Sequence, residues 1–147
     1  MVIADFLLPS NVFADVVASG KTELLRELSG RAAAAARLSS DAVIKAILKR
    51  EALGSTGTGE GIAIPHARFS ELKKPCGVVA HLRKAIDFEA IDSKPVDIIF
   101  LLLLPDGDTS QLNALASVAR TLRDPKIVAG IRQATDGAKI YAAITGR

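Results

Sequence analysis

The stretch from Asp97 to Leu104 constrains the fold of this chain more than any other. Every residue from Ile98 to Leu104 is apolar, and no polar residue interrupts the run. A strand with one face in water alternates apolar and polar residues, whereas a strand covered on both faces does not. The run is also far too short to cross a bilayer as a helix. We therefore predict a central strand between two layers of helices.

Two helices are predicted before this strand. The first begins with Ser19 as its cap and Glu23 in its first turn, and it runs to about Ala36. The second is capped by one of three adjacent polar residues and stops at Gly54, because glycine commonly follows the last turn of a helix. The candidate caps are Ser39, Ser40 and Asp41, and the apolar stripes are Leu24, Leu25 and Leu28, then Val43, Ile44, Ile47 and Leu48.

Three further helices are predicted after the central strand. Thr109 or Ser110 caps the first of them, and Asp124-Pro125 ends it. The same proline suits the first turn of a short second helix, and Thr135-Asp136 caps the last helix. The predicted inner faces are Leu112, Leu115, Val118, Ala119 and Leu122, then Ile127, Val128 and Ile131, then Ile140 and Ile144.

Two shorter strands complete the predicted sheet. Ile62 to Ile64 is a brief apolar strand, and Cys76 to Arg83 alternates, which places Val79, His81 and Arg83 on the wetter face. Nothing near His81 in the sequence suggests a metal or a catalytic partner, so we expect it to have a structural role. The order of helices, then strands, then helices around a strand buried on both faces predicts a three-layer α/β/α sandwich. The 147 residues, with no evident linker, are expected to form a single domain spanning 1–147.

Composition excludes several classes of function. A net charge of +3 with scattered basic residues, and an aromatic content of 4%, predict no nucleic-acid partner. The single cysteine, Cys76, excludes an internal disulfide and supplies no zinc cluster. The start, Met1 to Leu8, lacks a basic leader and contains an early acid, Asp5, so we expect a cytoplasmic protein without membrane insertion. No group of residues predicts a metal, nucleotide or flavin cofactor.

One short motif resembles the end of a nucleotide-binding loop. Ser19-Gly20-Lys21-Thr22 has the required lysine and threonine, but the motif needs a glycine five residues before Gly20, and that position is Asp15. We therefore interpret the motif as the start of a helix.

The stretch from Arg50 to Arg68 is the candidate functional site. A helix end with basic residues runs into a glycine-rich loop, then a short strand, then Pro65-His66. Pro65 fixes its own φ and favours an extended Ile64, so His66 is expected at the end of a strand on a stiff backbone. Three hypotheses remain open from these residues. His66 is a nucleophile beside an anion-binding glycine loop, with Arg50 offsetting charge, or a metal ligand, or a histidine with only a structural role.

The sequence of this stretch resembles a known family. Arg-Glu-Ala-Leu-Gly-Ser-Thr-Gly at 50–57 and Gly-Ile-Ala-Ile-Pro-His at 61–66 are similar to the signature of enzyme IIA of the fructose–mannitol class in the bacterial phosphotransferase system. The similarity is greatest to the free-standing, nitrogen-related branch and covers almost the whole chain. Companion matches, in order, are Ile86 to Phe88, Ala90 to Asp92, Pro95 to Asp97 and Leu112 to Asp124.

The resemblance implies a mixed sheet flanked by helices and transient phosphorylation of His66. It implies a histidine phosphocarrier protein as the donor and places Arg50 beside the phosphohistidine. Gln111 is expected beside His66 and Arg50 as an auxiliary polar group, and Thr56, Ser55 and Glu60 are expected around the phosphate site. Sugar-linked members of the family pass the phosphoryl group to a permease component, whereas nitrogen-branch members mostly regulate other proteins. No permease segment is present in the chain, which favours the regulatory role.

Two residues depart from the family pattern. Gln111 stands where a second histidine usually precedes the third helix's Leu-x-x-Leu, and it can donate a hydrogen bond but carry no positive charge. Glu60 stands where asparagine is common, and a carboxylate near the site would oppose an arriving phosphate. The leading hypothesis is a phosphoryl-carrier regulator. The alternatives are a binding module that acts without phosphorylation and a sugar-specific enzyme IIA. Homo-oligomerisation is left open.

Overall fold

The computed structural model of the chain describes residues 2–107 and 109–146, without the side chains of residues 109–111. Two short 3₁₀ helices, Ile3–Asp5 and Pro9–Asn11, come first. The strands are β1 (Val12–Val16), β2 (Gly57–Gly59), β3 (Ile62–Ala63), β4 (His66–Phe69), β5 (Cys76–Ile86) and β6 (Val96–Pro105). The helices are α1 (Lys21–Ala36), α2 (Ser40–Leu53), α3 (Thr109–Thr121), α4 (Pro125–Gln133) and α5 (Gly137–Thr145). None of the helices in the described ranges is long and apolar enough to cross a membrane.

Strand β6 forms the centre of a mixed sheet. It pairs antiparallel with β5 and parallel with both β3 and β4. Strand β5 pairs parallel with β1, and β3 forms an antiparallel hairpin with β2. The predicted central position of the Ile98–Leu104 run is therefore confirmed.

Alternate side chains of β6 enter two separate apolar clusters. One cluster includes Leu101 of β6 and residues of α1 and α2 such as Leu25 and Ile47. The other includes Phe100 of β6 and residues of α3, α4 and α5. No side chain from Ile98 to Leu104 is more than 2% exposed. Burial on both faces explains why the sequence of this strand lacks alternation, and the predicted α/β sandwich is confirmed.

The structure confirms several predicted helix ends and corrects two. Ser39 caps α2, and its hydroxyl accepts a hydrogen bond from the N–H of Ala42 at 3.3 Å. Pro125 begins α4 and Asp136 caps α5, as predicted, and Asp124, predicted only to end the preceding helix, caps α4. Ser19 does not cap α1, because Gly20 is at the cap position and the Ser19 hydroxyl donates to Glu23 instead. Helix α3 ends at Thr121, short of the predicted Asp124-Pro125. The predicted caps Thr109 and Ser110 lie outside the residues whose side chains the structure describes.

Three predictions from apolar patterns are also corrected. Ile64 lies just beyond β3, because the following proline cannot donate to a strand ladder. Val79, predicted on a wetter face of β5, is fully buried at 0% exposed, since helices cover both faces of the sheet. Leu112, predicted on the inner face of α3, is 62% exposed.

The Arg132 side chain joins helix α4 to strand β6 and to the β2–β3 hairpin. The Arg132 guanidinium donates to both carboxylate oxygens of Asp97, at 3.0 Å and 2.8 Å, and to the carbonyl of Glu60 at 2.8 Å. Gly61 lies beneath these groups with φ +82°. A Cβ at this position would stand 2.5 Å from Nη2 of Arg132 and 2.9 Å from Oδ1 of Asp97. A side chain at this position would therefore force the Arg132 guanidinium away from Asp97.

Replacing Gly61 by alanine is expected to lower the free energy of unfolding by about 2–4 kcal/mol, measured by chemical denaturation. The positive φ contributes strain, and the new methyl group displaces Arg132. Gly107→Ala is the matched control, because Gly107 also has a positive φ, +70°, but nothing lies within 4 Å of its Cβ position. The control should lose only the part of the free energy of unfolding that comes from backbone strain, about 1 kcal/mol. Equal losses in the two variants would contradict a role for the close approach.

Candidate functional site

His66 is the first residue of β4 and lies beside the central strand. His66 pairs with Leu102 of β6, and Ile62 of β3 pairs with Ile98 of the same strand. Both pairs have the same sequence separation, so β3 and β4 are two parts of one extended segment. The break falls at Pro65, whose carbonyl still accepts a hydrogen bond from the N–H of Leu102 at 2.8 Å. The prediction that His66 stands at the end of a strand is thus corrected. The chain resumes pairing directly after the proline, and the backbone of His66 is held by the centre of the sheet.

The imidazole of His66 has one hydrogen-bond partner in the described part of the chain. Its Nδ1 lies 2.8 Å from the carbonyl oxygen of Ile64. A carbonyl oxygen can only accept, so Nδ1 carries the proton and donates it. Consequently Nε2 keeps its lone pair. The half-buried ring presents this nitrogen as a nucleophile or a ligand.

The pKa of His66 lies below its ordinary value of 6.5, and burial of the ring is the main cause. The hydrogen bond to Ile64 opposes this and raises the pKa. The charges of Arg50 and, more weakly, Arg68 lower it, whereas Glu51 raises it. The ring is therefore neutral at neutral pH, which is the state that a nucleophilic imidazole requires.

An NMR titration of the imidazole signals is expected to give a pKa for His66 below 6.5. The unfolded chain then binds this proton more tightly than the folded chain does. The contribution of His66 to stability is thus complete above about pH 6.5 and is lost as the pH falls through the folded-state pKa. His66→Gln should remove this part of the pH dependence. A measured pKa at or above 6.5 would contradict the assigned burial.

Arg50 lies in the last turn of α2, and its side chain acts on both the helix end and His66. Its Nη1 donates to the carbonyl of Gly54 at 3.0 Å, which satisfies a carbonyl just beyond the helix and places a cation at the negative end of the helix dipole. The same charge acts on the pKa of His66. The structure therefore brings Arg50 and His66 together without taking Arg50 from its capping role.

The glycine-rich stretch is not an open anion-binding loop. Gly57 to Gly59 forms β2, and the hydroxyls of the two preceding residues have partners within the protein. Ser55 donates to the carbonyl of Phe88 at 2.9 Å and accepts from the N–H of Gly57 at 3.0 Å. The hydroxyl of Thr56, which is only 6% exposed, donates to Glu51. Both residues thus hold the backbone leading into the hairpin, and a direct role at a phosphate stays a prediction.

Glu60 lies at the tip of the β2–β3 hairpin with an exposed side chain and φ 58°. Its N–H donates to Asp92 at 2.9 Å, and its carboxylate lies 3.9 Å from Nζ of Lys94. Among the described residues, the charges that shift the pKa of His66 do not include that of Glu60. The side chain of Gln111 lies outside the description, so its predicted place near His66 stays a prediction.

Sequence reasoning missed a buried ion pair beside this site. Glu51 is 7% exposed, and its Oε2 lies 2.8 Å from Nζ of Lys21. The signal was present in the sequence, because Glu51 follows Val43 and Ile47 at spacings of four and so falls on the apolar stripe of α2. A charged residue at such a position needs a partner on a packed neighbour.

Two clefts in the described part of the chain lie away from His66. One of about 920 Å³ opens between the β2–β3 hairpin and α4, with Ile64, Leu122 and Val128 among its lining residues. Neither this cleft nor a smaller one beside His81 includes His66 or Arg50. Within the described ranges, no three histidine, cysteine or acidic side chains group as a metal site would require.

Comparisons with known proteins agree with this geometry. The model of the family described as "Phosphoenolpyruvate-dependent sugar phosphotransferase system, EIIA 2" matches residues 5–146. The nitrogen regulatory protein of Bradyrhizobium diazoefficiens is 39% identical over 145 residues, which are 98% of this chain and 95% of the relative. The nitrogen regulatory protein of Klebsiella oxytoca is 42% identical over 127 residues, or 85% of this chain and 78% of the relative.

A solved structure has the same fold. The crystal structure of nitrogen regulatory protein IIA-Ntr from Neisseria meningitidis superposes with a TM-score of 0.90 at 31% sequence identity. The match covers 97% of this chain and 99% of that one.

Proposed function

Because the chain belongs to the EIIA 2 family of the phosphoenolpyruvate-dependent sugar phosphotransferase system, we propose that it is a phosphoryl carrier with a regulatory role. The acceptor is Nε2 of His66, the donor is a histidine phosphocarrier protein, and the phosphorylation state controls binding to partner proteins in the cytoplasm. The regulatory part of the proposal is supported by the printed names of the relatives, which are nitrogen regulatory proteins.

One observation carries the proposal. The 2.8 Å hydrogen bond from Nδ1 of His66 to the Ile64 carbonyl keeps the lone pair on Nε2, and burial keeps the ring neutral. A neutral imidazole with a defined free nitrogen is ready to attack phosphorus without a separate base. The extended backbone on both sides of Pro65 holds the ring in place, so little reorganisation is needed on transfer.

The transfer step balances without a cofactor. The Nε2 lone pair forms a bond to the phosphorus of the donor's phosphohistidine, and the phosphorus–nitrogen bond of the donor breaks. The released electron pair stays on the donor's imidazole nitrogen. The proton on Nδ1 of His66 remains in its hydrogen bond throughout. Arg50, whose charge already acts on His66, offsets the negative charge of the transferred group.

The direct test is to incubate the purified protein with a charged histidine phosphocarrier protein and follow the intact mass. One phosphoryl group is expected, stable to base and labile to acid, and fragment mapping should place it on His66. Phosphate on His81 would show that the site assignment is wrong. An unchanged mass with an active donor would refute the carrier function.

Arg50→Ala is expected to slow phosphoryl acceptance by roughly 100-fold, because one lost electrostatic contact in a transition state costs a few kcal/mol. Arg50→Lys retains the charge but not the planar donor group, and its rate of phosphoryl acceptance should fall less than that of Arg50→Ala. Stopped-flow or quenched-flow rates should be measured well below the melting temperature of each variant, since Arg50 also caps α2 through Gly54. Equal rates for wild type and Arg50→Ala would show that the charge does not assist transfer.

A second candidate function is a binding module of the same fold that acts without phosphorylation. Two residues favour this function. Gln111 cannot supply the positive charge of the family's second histidine, and Glu60 places an acid within the family signature. The double variant Gln111→His/Glu60→Asn distinguishes the two. If only the double variant becomes phosphorylated, the chain is a carrier fold that has lost its chemistry. A sugar-specific role would instead appear as transfer from phosphorylated His66 to a permease component.

A further inference from the structure

Glu51 occupies an unfavourable position for a structural residue. It is a buried acid in the last turn of α2, where the negative end of the helix dipole opposes a carboxylate. The ammonium group of Lys21, 2.8 Å away, compensates its charge. Lys21 is itself held by the Phe88 ring, whose centroid lies 4.6 Å from Nζ. A buried ion pair of this kind is a weak source of stability, so its placement beside the site calls for another explanation.

A continuous chain of hydrogen bonds links Glu51 to the imidazole. The N–H of Thr56 lies 3.1 Å and 3.2 Å from the two carboxylate oxygens of Glu51, and the Thr56 hydroxyl also donates to this carboxylate. The carbonyl of Thr56 then accepts from the N–H of Ile64 at 3.1 Å. The carbonyl of Ile64 in turn accepts from Nδ1 of His66 at 2.8 Å. Each bond fixes the direction of the next, and the last one determines which nitrogen of His66 is protonated.

The segment between α2 and β2 is anchored at each of its residues. Gly54 is held by Arg50, Ser55 by the Phe88 carbonyl, and Thr56 by Glu51. Only the Thr56 anchor leads on to His66 through Ile64. Glu51 also lies close enough for its charge to act on His66 and oppose the effect of burial.

We propose that Glu51, held by Lys21, is a positioning residue for phosphoryl transfer, which fixes the Thr56–Ile64–His66 hydrogen bonds and so keeps the His66 proton on Nδ1. The inference rests on the proposed role of His66 as the acceptor. Glu51 does not touch the phosphoryl group and acts only through Thr56 and Ile64. Its loss allows the imidazole to turn or to move its proton to Nε2, and in that tautomer the outer nitrogen has no lone pair for attack.

The test uses Glu51→Gln, which keeps the size of the side chain. The amide has one acceptor oxygen in place of the two of the carboxylate, so it cannot keep all the contacts with Lys21 and Thr56 that Glu51 accepts together. The ¹⁵N chemical shifts of the His66 imidazole report which nitrogen carries the proton. We expect one predominant tautomer, protonated on Nδ1, in the wild type and a mixture in the variant. The rate of phosphoryl acceptance should fall about 10-fold.

Glu89→Gln is the matched control. Glu89 lies 3.6 Å from Nζ of the same lysine, but its side chain is exposed and makes no bond to Thr56 in the described part of the chain. Its replacement should leave the tautomer and the rate unchanged. A second variant, Lys21→Met/Glu51→Met, replaces the ion pair by apolar side chains, a change that folded proteins often tolerate, and it decides the question also if Glu51→Gln fails to fold. This double variant also removes the Thr56 acceptor and should give the same mixture of tautomers.

The outcomes separate the two proposals. A folded Lys21→Met/Glu51→Met variant with a wild-type tautomer and rate would overturn the positioning role, because this variant leaves Thr56 without its acceptor. The tautomer is measured on unphosphorylated protein, so this test stands even if the wild type accepts no phosphoryl group and the proposed function fails. A change of tautomer in Glu89→Gln as large as in Glu51→Gln would also overturn the proposal, because it would implicate the charge near Lys21 and not the bond to Thr56.

Discussion

His66→Ala is expected to abolish phosphoryl acceptance completely. The variant lacks the imidazole whose Nε2 is unprotonated, and none of the hydroxyls singled out in the site can replace it, since those of Ser55 and Thr56 are committed to Phe88 and Glu51. The fold should survive, because the side chain is half-buried and the backbone of His66 keeps its pairing with Leu102. Incubation with a charged phosphocarrier should leave the intact mass unchanged, while circular dichroism retains the wild-type spectrum.

His81→Ala is the matched control for this experiment. His81 is the other histidine of the chain, and its Nε2 lies 3.5 Å from Asp97, which forms the ion pair between β6 and Arg132 of α4. Its removal should cost some stability and leave phosphoryl acceptance intact. Phosphorylation that persists in His66→Ala and disappears in His81→Ala would reverse the assignment of the site.

The central strand was predictable because both of its faces are buried, so no position in it favours a polar residue. Both faces of β6 are packed by helices, so each position from Ile98 to Leu104 selects an apolar residue. The same physics made β5 misleading. Its sequence alternates at Val78 to Arg83, yet Val79 is apolar and fully buried, and only the outer part of the strand is wet. The first part of β5 is buried on both faces and the last part is exposed, and the sequence of such a strand can be mistaken for the alternation of a strand with one wet face.

Helix caps and the hydrogen bonds of the site were harder to predict, because neighbouring side chains compete for the same hydrogen-bond partners and the spacing of residues does not show which of them wins. Ser19 had the correct residue type for a cap, but the nearby Glu23 takes its hydroxyl, and Gly20 caps α1 with its backbone. Arg50 and His66 were identified from their motif, and the structure places them together. The bond from Nδ1 to Ile64 could not be predicted, because it depends on how the chain bends at Pro65.

The pairing of Lys21 with Glu51 is a tertiary feature. The two residues belong to different helices, and the sequence alone does not give the angle at which α1 and α2 pack. Sequence did show that Glu51 falls on a buried stripe, which predicts a partner without identifying it. The identity of the partner follows only from the packing of the first turn of α1 against the last turn of α2.

Leu102→Asp is expected to unfold the protein. Leu102 is 0% exposed at the centre of β6, where it pairs with His66 of β4 and Gly77 of β5. The substitution loses about 2 kcal/mol of apolar burial and leaves a carboxyl group without a partner in the core. The combined loss, about 5 kcal/mol or more, is comparable with the whole stability of an ordinary domain. Circular dichroism and amide proton dispersion should both show an unfolded chain at 25 °C.

Leu112→Asp makes the same chemical change at an exposed site. Leu112 is 62% exposed in the first turn of α3, where the helix dipole favours an acid, so its stability should change by less than about 0.5 kcal/mol. Leu102→Ala should fall between the two, with a loss of about 2–5 kcal/mol from the cavity alone. A folded Leu102→Asp with a wild-type melting temperature would place this strand at the surface and contradict the three-layer fold. Since the N–H of Leu102 also donates to the Pro65 carbonyl, loss of this strand would remove the support of His66, and phosphoryl acceptance should disappear together with the fold.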